Sequence, residues 1–332
     1  MNSEKIDFIM PWVDGSDIEW QKEKSKYDKK ENQGNIDASI ARYRNWDNLQ
    51  YWFRGVEKFA PWVNRIHFVT YGHLPKWLKR NHPRLHIVNH KDYIPERYLP
   101  VFSVNPIELN LHRIPELSNK FVYFNDDCFL VKAIDQKIFF KKDLPCDTAA
   151  LSVLGSHVLT QDIPILNAMY VINKHFDKKN VIFNHKEKWL NIKNGKQMIR
   201  TLLLMPWKFI PNIYNAHGPN AYTKKVFNIL WEKEYELLDQ TCKHKFREIT
   251  DVTQILMKNW QICEGEFEPR RVCCRSENIN VGHSRIKNLI FNGKTPIICL
   301  NDDNSIQNFE ELKVDVNGLL NQLLPEKSSF EM

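Results

Sequence analysis

The sequence predicts an α/β fold, with a mostly parallel sheet flanked by helices, and three observations carry that expectation. Short β-prone runs alternate with helical patterns roughly every 20 to 30 residues through the first third of the chain. Several runs stop abruptly in Asp, Asn or Gly, as strands do when they hand a ligand-binding loop to the carboxyl edge of an open sheet. From about 145 to 212 the alternation gives way to mixed helices and loops, which read as an inserted cap. One domain over 1–332 is therefore expected, with its core at about 1–145 and 213–310 and the cap at about 146–212.

Ile6–Met10 reads as the first strand, followed by the turn Pro11-Trp-Val-Asp-Gly-Ser-Asp17. The polar stretch from Gln21 to Asp37 reads as a loop or mobile helix. Trp46, Leu49, Trp52, Phe53, Val56 and Phe59 recur at helical spacing, and Pro61 stops that helix. Arg65–Thr70 is a second strand with a turn at Gly72, Pro75–Arg80 a short helix, and Leu85–Val88 a third strand with His90 and Asp92 beyond it. A helix from Asn105 to Leu117 carries Glu108, His112 and Arg113. After the strand at Phe121, the pattern from Ala221 to Trp260 is helical, and Pro296–Leu300 is a last strand ending in Asn301-Asp302-Asp303. No internal repeat or low-complexity segment interrupts the chain.

The most informative stretch is Phe121-Val-Tyr-Phe-Asn-Asp-Asp127, an apolar run ending in an amide and two adjacent carboxylates. If strand geometry continues, Asp126 and Asp127 point to opposite sides. Hard oxygen donors there suit Mg²⁺ or Mn²⁺ bridging to a substrate phosphate. The same residues also fit an Asn/Asp turn after a strand.

Composition narrows the function. The chain has 332 residues, 42% apolar and 26% charged, enough to bury a full core. Its ten tryptophans are mostly core residues, with some free to line a sugar site. A net charge of +7 suits an anionic partner such as a nucleotide sugar, an anionic polymer or an acidic membrane surface. The lysine-rich stretches Lys22–Lys30 and Lys186–Lys196 read as solvated faces. No helix-turn-helix, RNA-binding or zinc-finger pattern is present, which argues against nucleic acid. Seven cysteines without regular spacing argue against a disulfide framework, and Cys273–Cys274 lacks the spacing of a structural zinc site. No apolar run is long enough to cross a bilayer and the amino terminus lacks a signal-peptide core, so a cytoplasmic location is expected, with peripheral contact at the inner face of the membrane open.

Taken together the motifs resemble the Stealth family of bacterial capsule and exopolysaccharide phosphotransferases, to which the lysosomal-enzyme GlcNAc-1-phosphotransferase is related. The first family block resembles Ile6–Asp17. The second resembles Arg42-Tyr-Arg44 through Ala60-Pro-Trp62, Ile66–Thr70, Leu99-Pro100, Ile107-Glu108 and His112–Pro115 to Asp127. The third resembles His217-Gly-Pro219, Trp231–Glu234, Lys245-Phe-Arg247 and Asp251, and the fourth Ile298–Asp302 with the tail Leu324–Glu331. The expected fold is then Rossmann-like (GT-A-like).

The resemblance implies transfer of a hexose-1-phosphate from a UDP-sugar donor to a glycan hydroxyl, with UMP released and a phosphodiester formed. That chemistry needs neutralised phosphates, in-line placement and a base. By residue type, Asp126, Asp127 and Asp302 are candidate ligands for Mg²⁺ or Mn²⁺. Arg247, with Arg44 or Arg113, is a candidate for the phosphate oxygens. His217 is the first candidate for general base, and Asp14 or Asp17 would bind nucleotide, share the metal or act as base in its place. Asn125, Asp251 and Asn301 are further substrate-binding candidates. His112-Arg113 equally fits a brace in the core, and Asn301-Asp302 equally fits a helix cap. A lipid-linked acceptor would draw a basic protein to an anionic surface without an anchor. A metal-dependent glycosyltransferase releasing UDP, and a catalytically silent glycan-binding protein, are the alternatives. The adjacency of the acids, in place of Asp-x-Asp, argues against the first, and the full set of polar motif residues against the second.

Overall fold

The computed structural model describes residues 5–31, 44–155, 159–302 and 306–332. Arg42, Tyr43 and Asp303 lie outside them, as do residues 32–37 of the Gln21–Asp37 stretch. The strands are β1 (Ile6–Pro11), β2 (Ile66–Thr70), β3 (Leu85–Asn89), β4 (Lys120–Tyr123), β5 (Cys128–Leu130), β6 (Phe140–Lys141), β7 (Leu144–Asp147), β8 (Asn220–Thr223), β9 (Glu268–Pro269), β10 (Cys274–Asn278) and β11 (Ile297–Asn301). The main sheet runs β3-β2-β1-β4-β8, with β3, β2, β1 and β4 parallel and β8 antiparallel at the edge.

Alternation along these strands feeds two cores. Phe8, Met10, Ile66, Phe68 and Val122 face one side with the helix Leu49–Phe59, while Ile9, Val69, Val88, Phe121 and Tyr123 face the other. Helix Leu49–Phe59 buries Trp52, Phe53 and Val56, the stripe its spacing predicts. Its Gly55 sits against the Leu130 carbonyl, where an added Cβ would come within 2.9 Å, so helix and β5 meet backbone to backbone. A three-stranded sheet, β10-β11-β5, abuts this layer, and β6-β7-β9 forms a small third one.

Three local expectations change. Pro75–Arg80 is not helical: Leu78 bridges to Glu331, and Lys79 donates to the Phe330 carbonyl, so the carboxyl-terminal tail claims this backbone. The Asn105–Leu117 helix stops at Leu109. There the Asn110 side chain turns back to the Pro106 carbonyl (2.8 Å), and a short 3₁₀ turn follows. Asn220–Thr223, read as part of a helical region, is instead β8. Its polar composition hides a strand that exists because β4 offers a free edge. Of the two readings open for the polar residues after Asp17, the structure forms the helix, Ile18–Glu31.

Between β7 and β8 the chain forms the helices Leu159–His175, Lys178–Asn184, Lys186–Trp189 and Lys196–Leu203. Ala168, Met169 and Ile172 of the first join Met257 and Trp260 in the second core. All seven cysteines are buried and free, as their spacing suggests.

Candidate active site

Strand register gathers the candidates at one edge. β1 ends at Pro11, β2 at Thr70 and β4 at Tyr123, and all three run the same way. Asp14, His73 and Asp126 each follow their strand by three residues. β8 runs oppositely with Asn220 facing Tyr123, so His217, three residues before Asn220, arrives at the same edge. Residues far apart in sequence thus converge where open α/β sheets receive ligands.

Asp127 is the centre of the cluster. Its Oδ2 lies 3.3 Å from His217 Nε2, and its Oδ1 accepts from the Cys128 thiol at 3.3 Å. Among the described residues Asp127, Cys128 and Cys299 bring three donor atoms together, a set that omits Asp126 and whose two soft thiols suit neither Mg²⁺ nor Mn²⁺. Burial alone would raise the Asp127 carboxyl, but the hydrogen bond and charge of His217, with the Cys299 and Cys128 thiols, hold it below the ordinary value. The same hydrogen bond raises the His217 imidazole above its ordinary value. Asp126 behaves oppositely. It opens to solvent on one side, yet the protein crowded around the rest of it desolvates it, and the neighbouring Asp127 charge adds to the effect. Its carboxyl is raised to about 7, and among the described residues no cation pairs with it. Two adjacent acids without a paired cation at Asp126 fit a divalent ion, which would relieve that repulsion.

In the first loop, Asp14 Oδ1 accepts from the Ser16 amide (2.9 Å) and hydroxyl (2.6 Å), and Asp17 Oδ1 accepts from the Trp20 amide, capping the helix Ile18–Glu31. His73, which the sequence reading passed over, accepts the Asp14 amide proton on Nε2 at 2.7 Å. Its Nδ1 is buried without a hydrogen-bond partner, 3.9 Å from Asp17. Burial lowers this imidazole, with Asp17 and Asp14 partly opposing, so His73 serves as a neutral acceptor.

Arg44 and Asp302, assigned above to phosphate and metal, hold one another: Arg44 Nη1 lies 3.0 Å from Asp302 Oδ1, and Trp46 Nε1 donates to Oδ2. Asp302 is accordingly outside the Asp127 donor group. Asn301 donates to Ser276 Oγ, and the Asn125 carbonyl accepts from the Cys128 amide to close the turn that carries both acids.

Arg247 acts on β4 indirectly, through its charge. It acts electrostatically on Glu108, whose burial raises its carboxyl to about 7 while a hydrogen bond from Tyr123 and the Arg247 charge oppose that rise. Tyr123 is the residue before Phe124-Asn125-Asp126, so Glu108 couples Arg247 to the strand bearing the acids. Asp251, expected to bind substrate, has no exposed surface. It accepts from Asn105 (2.8 Å), the Glu248 amide (3.0 Å) and His244 (2.7 Å), and so shapes the loop bearing Arg247. Arg113 lies over the Trp231 ring at 4.7 Å, and His112 stacks on Phe227, buried enough to lower its imidazole to about 3. This pair braces the second core, one of the two roles the sequence allows.

Beneath the His217 loop lies a cavity of about 10 Å³ lined by Asp147, Lys258 and Arg270. Lys258 Nζ donates to Asn215 Oδ1 (2.7 Å) and lies 3.4 Å from Asp147. No spacing in the sequence brings these residues together: the pairing of β7 with β9 sets Asp147 beside Pro269 and Arg270, and Lys258 reaches the loop before His217 through Asn215.

The family models for Stealth conserved region 1 and conserved region 2 match residues 4–31 and 42–147. Over 99% of both chains the protein is 41% identical to the capsular polysaccharide phosphotransferase WcwK of Streptococcus pneumoniae. It is 40% identical to the receptor polysaccharide phosphotransferase WefC of Streptococcus gordonii over 99% of both chains. It is 34% identical to the exopolysaccharide phosphotransferase cps2G of Lactiplantibacillus plantarum over 98% and 96%. The glycosyltransferase GlyE of Streptococcus pneumoniae aligns over 99% of this chain and 65% of its own, at 11% identity and a TM-score of 0.38.

Proposed function

Because this chain belongs to the Stealth family of polysaccharide phosphotransferases, we propose that it transfers hexose-1-phosphate from a UDP-sugar to a glycan hydroxyl. It is a transferase of capsule or exopolysaccharide synthesis; the donor, the leaving group and the residue roles are the proposal. The observation that carries it is the Asp127–His217 pair, set beside an unpaired Asp126.

The acceptor oxygen attacks the donor's β-phosphorus, the Pβ–O bond to the α-phosphate breaks, and UMP departs with that oxygen. The sugar's C1–O bond stays intact. His217, with Nε2–H donated to Asp127, keeps Nδ1 free to take the acceptor proton. Asp127 fixes that tautomer and stabilises the imidazolium that results. Arg247 offers a planar fork to phosphate oxygens. Asp14, held by Ser16, and Asp17, held by the helix it caps, bound the nucleotide side with His73. Asp126 and Asp127 would hold Mg²⁺ or Mn²⁺, which supplies charge neutralisation on the diphosphate.

The test is the nucleotide released from a panel of UDP-sugars with a capsule-type acceptor, read with ³¹P NMR of the product. UMP with a new phosphodiester resonance is expected. Release of UDP would mean attack at C1 and would overturn the reading.

A further inference from the structure

We infer that the surface formed by residues 178–209 docks on an anionic lipid bilayer and carries the enzyme to a membrane-bound acceptor. The inference rests on the proposed transfer to a glycan only for the identity of the acceptor; the surface itself is argued from its own residues.

The first observation is an inverted helix. Lys196–Leu203 turns Gln197 and Thr201 inward, where the Thr201 hydroxyl accepts from the Leu151 amide at 3.0 Å. Ile199, Leu202 and Leu203 face outward, exposed at 58, 52 and 75%. A surface helix of a soluble protein shows the reverse arrangement, since apolar side chains left in water forgo their burial energy. In the chain that flanks it Ile192, Trp207 and Phe209 are exposed as well, at 79, 63 and 56%. The outward pose is built in: the buried Lys178 ammonium donates to the carbonyls of Leu204 (3.2 Å), Met205 (2.8 Å) and Trp207, pinning the turn that presents Trp207 and Phe209. Neighbouring exposed apolar groups of this kind mark an interaction surface.

The second observation is charge. Residues 178–209 contain eight lysines and arginines and one acid, Glu187, an excess equal to the net +7 of the entire chain; of the eight cations Lys178 is buried and the other seven lie outside the core. The rest of the molecule is neutral in sum. Lys179, Lys186, Lys196, Arg200 and Lys208 are exposed among the apolar groups. Lys186–Lys196, which the sequence alone reads as a solvated face, is thereby part of a mixed basic and apolar surface. A protein partner or a second copy of this chain would match the apolar groups but leave this positive excess unanswered. An anionic bilayer answers both, with apolar side chains entering the headgroup boundary, Trp207 at the interface and the cations at the lipid phosphates.

The third observation is position. The segment returns through Asn212 and Ile213, paired with Ser152 and Leu151, directly into the loop that presents His217. No helix among the described residues is long and apolar enough to cross a membrane, so attachment through this surface would be peripheral.

The experiment is co-sedimentation of the full chain with vesicles of phosphatidylcholine alone or with phosphatidylglycerol, alongside its oligomeric state by light scattering. Binding is expected only with the anionic lipid. Lys196→Gln and Lys208→Gln should each lower partitioning by about fivefold, the equivalent of roughly 1 kcal/mol per surface charge. Leu203→Ser and Trp207→Ser should reduce it further, with UMP release from the donor in the presence of a soluble acceptor unchanged. Absence of binding to anionic vesicles, equal binding to neutral ones, or a dimer abolished by Leu203→Ser without lipid affinity would each overturn the inference. Release of UDP instead of UMP would refute the proposed reaction and leave the vesicle result standing.

Discussion

The main sheet carries an Asp–His pair at each end, and they do opposite things. At the start of β1, Asp7 and His67 are wholly buried, 3.1 Å apart. Asp7 also accepts from Asn64 Nδ2 (2.6 Å) and the Ser118 amide (2.7 Å), while the other nitrogen of His67 meets His86. Both carboxylate oxygens of Asp7 and both ring nitrogens of His67 are engaged, and neither side chain has exposed surface. At the other edge, His217 keeps 47% of its side chain exposed and Asp127 keeps 27%, with the unpaired Asp126 next to them. Identical chemistry is a brace where it is saturated and dry, and a candidate proton-transfer device where one nitrogen and one carboxylate are left open.

The largest effects should come from breaking the open pair. His217→Ala and Asp127→Asn should each reduce turnover by about 10²- to 10⁴-fold, the range of general-base loss, with an unchanged circular dichroism spectrum. Near-normal rates in both would sink the assigned site. Chelation with EDTA should remove most activity and added Mg²⁺ or Mn²⁺ should restore it; full turnover in excess chelator would take the metal out of the mechanism.

Breaking the closed pair should show the complementary pattern. Asp7→Asn should cost about 3 kcal/mol in denaturant unfolding, since it strands a buried partner, while turnover of the folded fraction persists. Asp7 has a depressed carboxyl: burial opposes, but His67, Asn64 and Ser118 prevail. Its stabilisation is therefore present above the ordinary carboxylate value and fades as pH falls through the lower folded value. A wild-type stability profile that stays flat through that acid range would contradict this.

A sharper comparison comes from the pH–rate profile. A base must be unprotonated, and Asp127 raises His217, so kcat/KM should rise with pH through a value above histidine's ordinary 6.5. Asp126, raised to about 7, must also ionise to hold a metal. Increasing divalent ion should move its part of the limb to lower pH and leave that of His217 in place; a limb that never moves would remove Asp126 from metal binding. The smallest effect is expected at Arg113, which lies over Trp231. Arg113→Met should lower stability by about 1 kcal/mol with KM for the donor unchanged, and a raised KM would return it to the phosphate site.

Much of this molecule is legible in order along the chain. The strand runs Ile6–Met10 and Ile66–Thr70, the apolar stripe of Leu49–Phe59, and the break after Tyr123 are local signals, because backbone period and turn chemistry act over a few residues. They suffice for an α/β sheet whose carboxyl edge bears Asp14, Asp126 and Asp127. Other features have no local signal. β8 is polar and becomes a strand only by pairing with β4, and that pairing alone brings His217 to Asp127, 90 positions away. Arg44 and Asp302 look like ligands in the sequence and turn out to satisfy each other. His73 and Lys258 carry no motif at all. Which residue types are present, and at which strand ends, the sequence determined by itself. Which of them are saturated and which are left open, only the tertiary structure decided, because hydrogen-bond satisfaction and desolvation depend on neighbours that strand pairing supplies from elsewhere in the chain.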